Sequence, residues 1–270
     1  MFYKKLFVFI FALLLVPACA PMTKRAVFVP PSPVEFGKAA TVAFVAETMS
    51  EETTKTFAYC SGVWIDQETI LTALHCARAA ARMEEMRKVP AEWRILAQLF
   101  IPPVADPTGY AMDYVVENEV TGIYTKPKAV HKSVVLAIDA DHDLAIITTK
   151  RREQPDHTWL RVANYNPKVG DKVFVVGHPS GLYFTFFDGM VSAIRETMPH
   201  EDGDEIGVAG PFVQVYSGIW HGNSGGPVIS EKGEIVGIVS FGVDAPNQGF
   251  CIAPTAIKHF IIETYKKNLL

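Results

Sequence analysis

The sequence predicts an all-β fold, a sandwich or barrel of short strands with little helix, and three observations lead there. From Thr41 onward the apolar residues fall in short runs, TVAFVA, FAYCSGVWI, SVVLAI, LAIITT, KVFVVG, FVQVY and EIVGIVSF, separated by Gly, Pro, Asp and Asn. That is the pattern of strands punctuated by turns. Helical periodicity is confined to ARAAARMEEMRK after His75 and to a stretch from about Thr255 to Lys267. The 270 residues, 49% hydrophobic and 20% charged, give enough chain for two core-bearing units. No repeat of solenoid period and no low-complexity tract interrupts them.

The N-terminus reads MFYKKLFVFIFALLLVPACA, with Lys4 and Lys5 ahead of an apolar run from Leu6 to Val16. This charge-then-hydrophobe order is that of an export signal over residues 1–18, too short for a comfortable membrane span. Val16-Pro17-Ala18-Cys19 resembles the lipobox of bacterial lipoproteins. The resemblance implies cleavage before Cys19 and acylation of that cysteine, hence a lipid bilayer partner and a place in the bacterial cell envelope. The secreted alternative cuts after Ala20, using Ala18 and Ala20, and leaves Pro21 just past the scissile bond, where proline fits poorly. Several acyl chains anchor stably where one is marginal. Residues 19–37 contain Pro21, Pro30, Pro31 and Pro33, which stiffen the chain toward polyproline II and predict a tether. A net charge of -4 supplies no basic excess to hold nucleic acid by counterion release.

Amide hydrolysis needs a nucleophile, a base, a group that fixes the base, and donors for the oxyanion. Ser224 lies in Gly222-Asn223-Ser224-Gly225-Gly226-Pro227, where glycines let a substrate carbonyl approach the chain. The N–H groups of Gly222 and Ser224 are the candidate oxyanion donors. His75 closes the strand-like run Ile70–Leu74, and imidazole suits proton transfer near neutral pH. Asp143 opens the apolar run Leu144–Ile147, whereas Asp139 and Asp141 open none. Cys60 and Cys76 flank a strand-turn-strand pattern and predict a disulfide in an oxidising compartment. Cys251, within an apolar run, predicts a buried unpaired thiol.

TALHC at 72–76, DLA at 143–145 and GNSGGPV at 222–228 resemble the three signature segments of trypsin-like serine proteases, in the same order of His, Asp and Ser. VGHPSGLYFTFFDGMVSAI, GEIVGIVSFG and GFCIAP resemble the bacterial HtrA-like branch, so the likeness spans roughly residues 40–255. It implies a chymotrypsin-like fold of two six-stranded antiparallel β-barrels with a C-terminal helix. Residues 38–155 would carry His75 and Asp143, and residues 156–270 would carry Ser224 and the helix. It further implies a peptide or protein substrate, catalysis by the Ser224–His75–Asp143 triad, and no metal or organic cofactor. Ser240-Phe241-Gly242 would pair with the substrate backbone. Gly218 would lie at the base of the pocket before the cut, beside Ile219. That pocket carries no charge, so it favours apolar side chains of modest size.

Three departures qualify the likeness. Asn223 stands where digestive proteases have an aspartate that captures a freed N-terminus, so activation of that kind is not expected. HtrA-like proteins continue into peptide-binding PDZ domains, whereas only 16 residues follow Pro254, and no such domain is expected in this chain. The stretch from Ala77 to His131 is long for a His-to-Asp connection and reads as an insertion that caps the cleft or binds a partner. The G-x-S-x-G spacing also fits an esterase elbow, but Asp244 and His259 leave too little chain after Ser224 for that fold. No H-E-x-x-H metal spacing occurs. His221 reads either as a substrate contact or as a solvated loop residue, His142 as a surface residue, and Trp220 as part of the pocket wall. A rival from another class is a catalytically weak, lipid-anchored protein that uses the barrels as a peptide-binding scaffold.

Overall fold

The computed structural model describes residues 32–49, 54–88, 104–121, 124–149, 158–197, 208–243 and 245–268. The signal segment, Cys19 and the tether as far as residue 31 lie outside them. Among the described residues, twelve strands close into two barrels whose ladders are all antiparallel. The first holds β1 (Thr41–Met49), β2 (Thr54–Trp64), β3 (Thr69–Ala73), β4 (Ala111–Thr121), β5 (Tyr124–Asp139) and β6 (Leu144–Thr149), in the order β1-β2-β3-β6-β5-β4. The second holds β7 (Lys172–Gly177), β8 (Thr185–Arg195), β9 (Phe212–Tyr216), β10 (Pro227–Ser230), β11 (Ile235–Gly242) and β12 (Gln248–Ile252), in the order β7-β8-β9-β12-β11-β10. The all-β expectation of two six-stranded barrels with a C-terminal helix holds.

Several strands read as continuous apolar runs because both of their faces are buried. Successive side chains along a strand point to opposite faces. In the first barrel Ile70, Ala145 and Ile147 join a cluster with Val42, Phe44 and Trp64, while their neighbours Leu71, Leu144 and Ile146 turn outward. In the second, Val173, Val175, Val213, Val215 and Cys251 cluster inside, while Val176, Phe212, Phe250 and Ile252 turn outward. The outward sets meet in one core that both barrels share. Each of its fully buried Leu or Ile side chains contributes about 1.5–3 kcal/mol. Helix α3 (Pro254–Asn268) covers the seam with Ala256, Ile257 and Phe260.

Three sequence expectations change. Residues 33–37 do not belong to an extended tether: helix α1 (Pro33–Ala40) starts there. Ser32 and Glu35 form a reciprocal capping box and Pro33 occupies the first turn, where its missing N–H costs nothing. Its Gly37 lies so close to Ile229 of β10 that no Cβ would fit. His75 does not close a strand: β3 stops at Ala73, and Leu74, His75 and Cys76 form the first turn of helix α2 (Leu74–Arg87). In its described residues the stretch from Ala77 to His131 is no inserted cap, because α2, β4 and the first half of β5 are parts of the first barrel and its flank, while residues 89–103 and 122–123 lie outside the described ones.

Because α1 is folded structure, Ser32→Ala should lower stability by about 1 kcal/mol in urea unfolding. No change in the midpoint would return these residues to the tether.

Candidate active site

The site is assembled from the ends of strands at the seam. β3 and β6 are neighbours, with Ala73 opposite Leu144, so the residues just beyond them, His75 and Asp143, meet although 68 positions apart. Asp143 first serves the start of α2. Its carbonyl accepts the Leu74 N–H at 3.0 Å and its Oδ1 accepts the His75 N–H at 3.0 Å. A helix start leaves such donors without intrahelical partners, and Ala73 at the cap has no side chain to satisfy them. The positive end of the helix also favours a carboxylate. To reach both donors Asp143 takes a left-handed backbone, φ 52°, which costs a non-glycine residue roughly 1–2 kcal/mol.

The other carboxylate oxygen, Oδ2, lies 2.8 Å from His75 Nδ1 and accepts the Ser240 hydroxyl. A carboxylate only accepts, so Nδ1 carries the proton and His75 Nε2 keeps its lone pair. The His75 side chain is 46% exposed and that of Asp143 only 10%. The histidine is open to the cleft while the aspartate is shielded. Ser240 reaches Asp143 because the β11–β12 register shifts between Val239 and Phe241, a bulge that re-aims the residue it leaves unpaired.

Ser224 stands on the loop between β9 and β10. The carbonyls along this loop are tied back one after another. His221 accepts from the Ser180 N–H at 2.8 Å, Gly222 from the Ser61 hydroxyl at 2.7 Å, Asn223 from the Gly226 N–H at 2.9 Å and Ser224 from the Ser61 N–H at 2.8 Å. In a trans peptide the N–H opposes the C=O, so the Gly222 and Ser224 N–H groups turn to the other side. Among the described residues neither donates to a protein acceptor. Gly222 at φ 99° and Gly225 at φ 80° have to be glycines, since a Cβ would strike the carbonyl of His178 or of Ser61. The Ser224 hydroxyl donates to the Ser240 carbonyl at 3.4 Å.

A cleft of about 1180 Å³ runs past His75, Asp143, Ser224 and residues 240–243, with Gly218, Ile219, Trp220 and His221 on its other wall. Ile219 lies against Gly249, where any Cβ would collide with it, and the Phe187 ring lies against Gly218. Phe241 turns its ring inward, stacked on Phe250 at 5.2 Å, and leaves its main chain to the cleft. Among the described residues the grouping of metal-capable side chains is Cys60, His75 and Cys76. The two sulfurs are joined in a disulfide, Cα–Cα 6.0 Å, so that grouping retains one free donor.

A family model described as a trypsin-like peptidase domain matches residues 60–238. The chain belongs to the trypsin-like peptidase family. It is 37% identical over 109 residues to a probable periplasmic serine endoprotease DegP-like of Buchnera aphidicola subsp. Baizongia pistaciae, covering 40% of this chain and 22% of that protein. It is 32% identical over 140 residues to Protease Do-like 2, chloroplastic, of Arabidopsis thaliana, covering 50% of this chain and 22% of that one. The chain thus spans 22% of the length of each of these relatives. The crystal structure of the Rv3671c protease from M. tuberculosis, active form, superposes with a TM-score of 0.56 at 19% identity, over 85% of this chain and 82% of that one. That likeness speaks for the fold.

In this trypsin-like peptidase several expected placements shift. Trp220 lines the cleft as expected but is not packed there: it is 65% exposed, edge-on to His221. His142 is not on the open surface but half-buried, its Nδ1 2.8 Å from Asp139. Asp139 also accepts the N–H groups of Asp141 and His142, so it shapes the turn before Asp143 rather than rivalling it. Cys251 is buried and unpaired, and burial pushes its thiol pKa up. Sequence reasoning passed over Arg78, which lines the cleft one helical turn after His75, and Ala245–Gln248 opposite.

It also passed over Ser61 and His178, each fully buried with its side chain 2.8 Å from the other. Burial among the rings of Tyr183 and Phe184 pushes His178 down to about 3. Between pH 3 and 6.5 the folded ring therefore binds fewer protons than the unfolded one, whose ordinary value is 6.5. The stability this contributes is whole above about pH 6.5 and drains away as pH falls toward 3. In urea unfolding, the stability difference between the wild type and His178→Asn should become less favourable to the wild type as pH drops through that window. A difference independent of pH would contradict a neutral buried His178.

Proposed function

We propose that this chain is a serine endopeptidase in which Ser224 attacks the peptide carbonyl, His75 moves the proton and Asp143 holds His75. One observation carries the reading: in one cleft, a His75–Asp143 pair with a bare Nε2 meets a serine loop whose carbonyls are tied back and whose Gly222 and Ser224 N–H groups are unclaimed. In this reading the Ser224 hydroxyl leaves its long bond with the Ser240 carbonyl for Nε2 of His75, which lines the same cleft. Bonds of this kind commonly tighten only when substrate binds. The oxygen then bonds to the substrate carbon as its proton passes to Nε2, and Asp143 stabilises the resulting imidazolium. The Gly222 and Ser224 N–H groups receive the developing oxyanion. His75 returns the proton to the leaving amine, and water, activated by the same nitrogen, releases the acyl group.

The substrate backbone has a place beside β11. Along β11, β10 pairs only with Ile235–Ile238, which leaves the Ser240–Gly242 edge open toward the cleft for strand addition. The pocket between Gly218, Ile219 and Val239 is uncharged and shallow, because Ile219 occupies the space over Gly249. An Arg or Lys there would lose its hydration without a partner, so small and medium apolar residues are preferred before the cut. Asn223, buried, donates its amide to the Gly218 carbonyl at 3.3 Å, which supports a loop formed without capture of an N-terminal amine. The same reading divides the folded body into barrel units at residues 38–155 and 156–270. It places the chain outside the cytoplasm, signal removed and Cys19 acylated. Peptide or protein is its substrate and the bilayer its anchor.

A fluorophosphonate probe should label the wild type at Ser224 and leave Ser224→Ala unlabelled. His75→Ala should lower kcat by about 10⁶-fold and Asp143→Asn by about 10⁴-fold. Peptides with Ala or Val before the cut should outrun those with Arg or Lys in kcat/KM. Folded protein that takes no label and cleaves nothing would make the chain a peptide-binding scaffold instead. Mass spectrometry of the mature protein from bacterial membranes should find an acylated Cys19 at its N-terminus. An unmodified chain beginning at Pro21 would overturn the anchor.

A further inference from the structure

Ser61 and His178 lie outside the triad, and neither lines the cleft. Their hydrogen bonds nonetheless end on the loop that carries the oxyanion donors. The Ser61 hydroxyl is 2.7 Å from the Gly222 carbonyl and 2.8 Å from His178 Nδ1. A carbonyl only accepts, so the single Ser61 proton points to Gly222, and His178 Nδ1 must donate to the Ser61 oxygen. The ring is thereby fixed as the Nδ1–H tautomer, and its Nε2 is a bare acceptor. That nitrogen is buried and, among the described residues, without a partner. A buried acceptor left unpaired costs about 1–3 kcal/mol, a cost that a purely packing residue such as Leu would not incur.

We infer that Ser61 and His178 are positioning residues, a relay from His178 through Ser61 that holds the Gly222 peptide so that both oxyanion donors keep their aim. This rests on the protease reading above. The 222–223 peptide links the two peptides that carry those donors, and it starts at a glycine, the residue with the widest backbone freedom. Ser180, itself left-handed at φ 51°, fixes the preceding peptide through the His221 carbonyl. Ser61 fixes the linking peptide with its hydroxyl and, two residues on, the Ser224 carbonyl with its N–H. The His178 carbonyl passes directly beneath Gly222, and the Gly177 α-carbon faces Asn223 at a distance that admits no Cβ. His178 thus acts on the hydroxyl and, through its own main chain, on the space the loop occupies.

Asparagine places an amide where histidine has Nδ1, and leucine has nearly the shape of asparagine without the donor. The two substitutions separate positioning from packing. Ser61→Ala should lower kcat by about 10²-fold with KM within about threefold of wild type, and weaken a peptide aldehyde, whose adduct needs the oxyanion donors, by a similar factor. His178→Leu should lower kcat at least about tenfold, and His178→Asn should stay within about threefold of wild type, by the misalignment argument for positioned groups. In ¹⁵N-histidine-labelled wild type at pH 7, His178 should give an Nδ1–H signature alongside those of His75 and His142, whose Nδ1 atoms face carboxylates, and the His178 signature alone should vanish in His178→Asn. Wild-type cleavage with undiminished kcat in Ser61→Ala, or equal kcat in His178→Leu and His178→Asn, overturns the relay while leaving the protease reading intact. An Nε2–H signature for His178 overturns it even where a variant does not fold. A wild type that neither cleaves nor takes the fluorophosphonate removes the protease reading and the relay together.

Discussion

The site depends first on one residue of the first barrel that grips the serine loop of the second. Ser61 is fully buried and every polar group it has is engaged: its N–H goes to the Ser224 carbonyl, its hydroxyl to the Gly222 carbonyl, and its own carbonyl accepts the Thr72 hydroxyl at 2.7 Å. Each bond contributes a net of only about 1 kcal/mol, but breaking one leaves a buried group unpaired at about 1–3 kcal/mol. Their value is directional. His75 and Asp143 belong to the first barrel and Ser224 to the second, and a reacting geometry tolerates little relative slip.

The shared apolar core holds the same two bodies together without choosing a register. Leu71, Leu144 and Ile146 from one barrel and Phe212, Ile238 and Phe250 from the other gain stability in proportion to the area they hide. Many small slides would hide nearly as much. The hydrogen bonds at Ser61 select among them. Asp143 does for His75 what Ser61 does for the serine loop, because the carboxylate bonded to the His75 ring also caps the helix on which His75 stands. The backbone of α2 and the tautomer of His75 answer to one side chain.

What was legible in the sequence was what repeats at fixed spacing or takes a rare residue. LAIITT, KVFVVG and FVQVY appear as the strands read from them, to the residue, since an unbroken apolar run bounded by turn formers has few other uses. GNSGG and TALHC stood out through glycines and a cysteine whose roles are local. α1 was missed although Ser32-Pro33-Val34-Glu35 spells a capping box, because the surrounding prolines drew the reading toward extended chain. β4 was missed because AMDYVVENEVT carries acidic and polar residues instead of an apolar run. The roles of Ser61, His178 and Ser240 were not readable. Each depends on a partner 97 or more positions away in sequence, at Gly222, His178, Ser61 or Asp143, and on one bulge that pattern alone does not reveal.

The distribution of strain argues independently for where the function sits. Among the described residues the non-glycine positions with left-handed backbone are Asp143, Ser180, Phe184 and Asn247. Asp143 holds His75, Ser180 ties the His221 carbonyl, Phe184 packs on His178 at 4.7 Å, and Asn247 lines the cleft. Of the three buried side-chain atoms without a partner among the described residues, two are His178 Nε2 and Asn223 Oδ1, in a residue whose carbonyl abuts Gly222 and in the residue that follows it. A fold selected for stability alone has no reason to gather such costs in one place, since each is removable by a conservative change. They gather around a loop whose Gly222 and Ser224 N–H groups are unclaimed among the described residues and whose carbonyls are held from behind by hydrogen-bond contacts. Here those contacts come from neutral groups, Ser61, Ser180 and the amide of Asn223, so the geometry is a property of the folded barrels and not of any charge delivered to the loop.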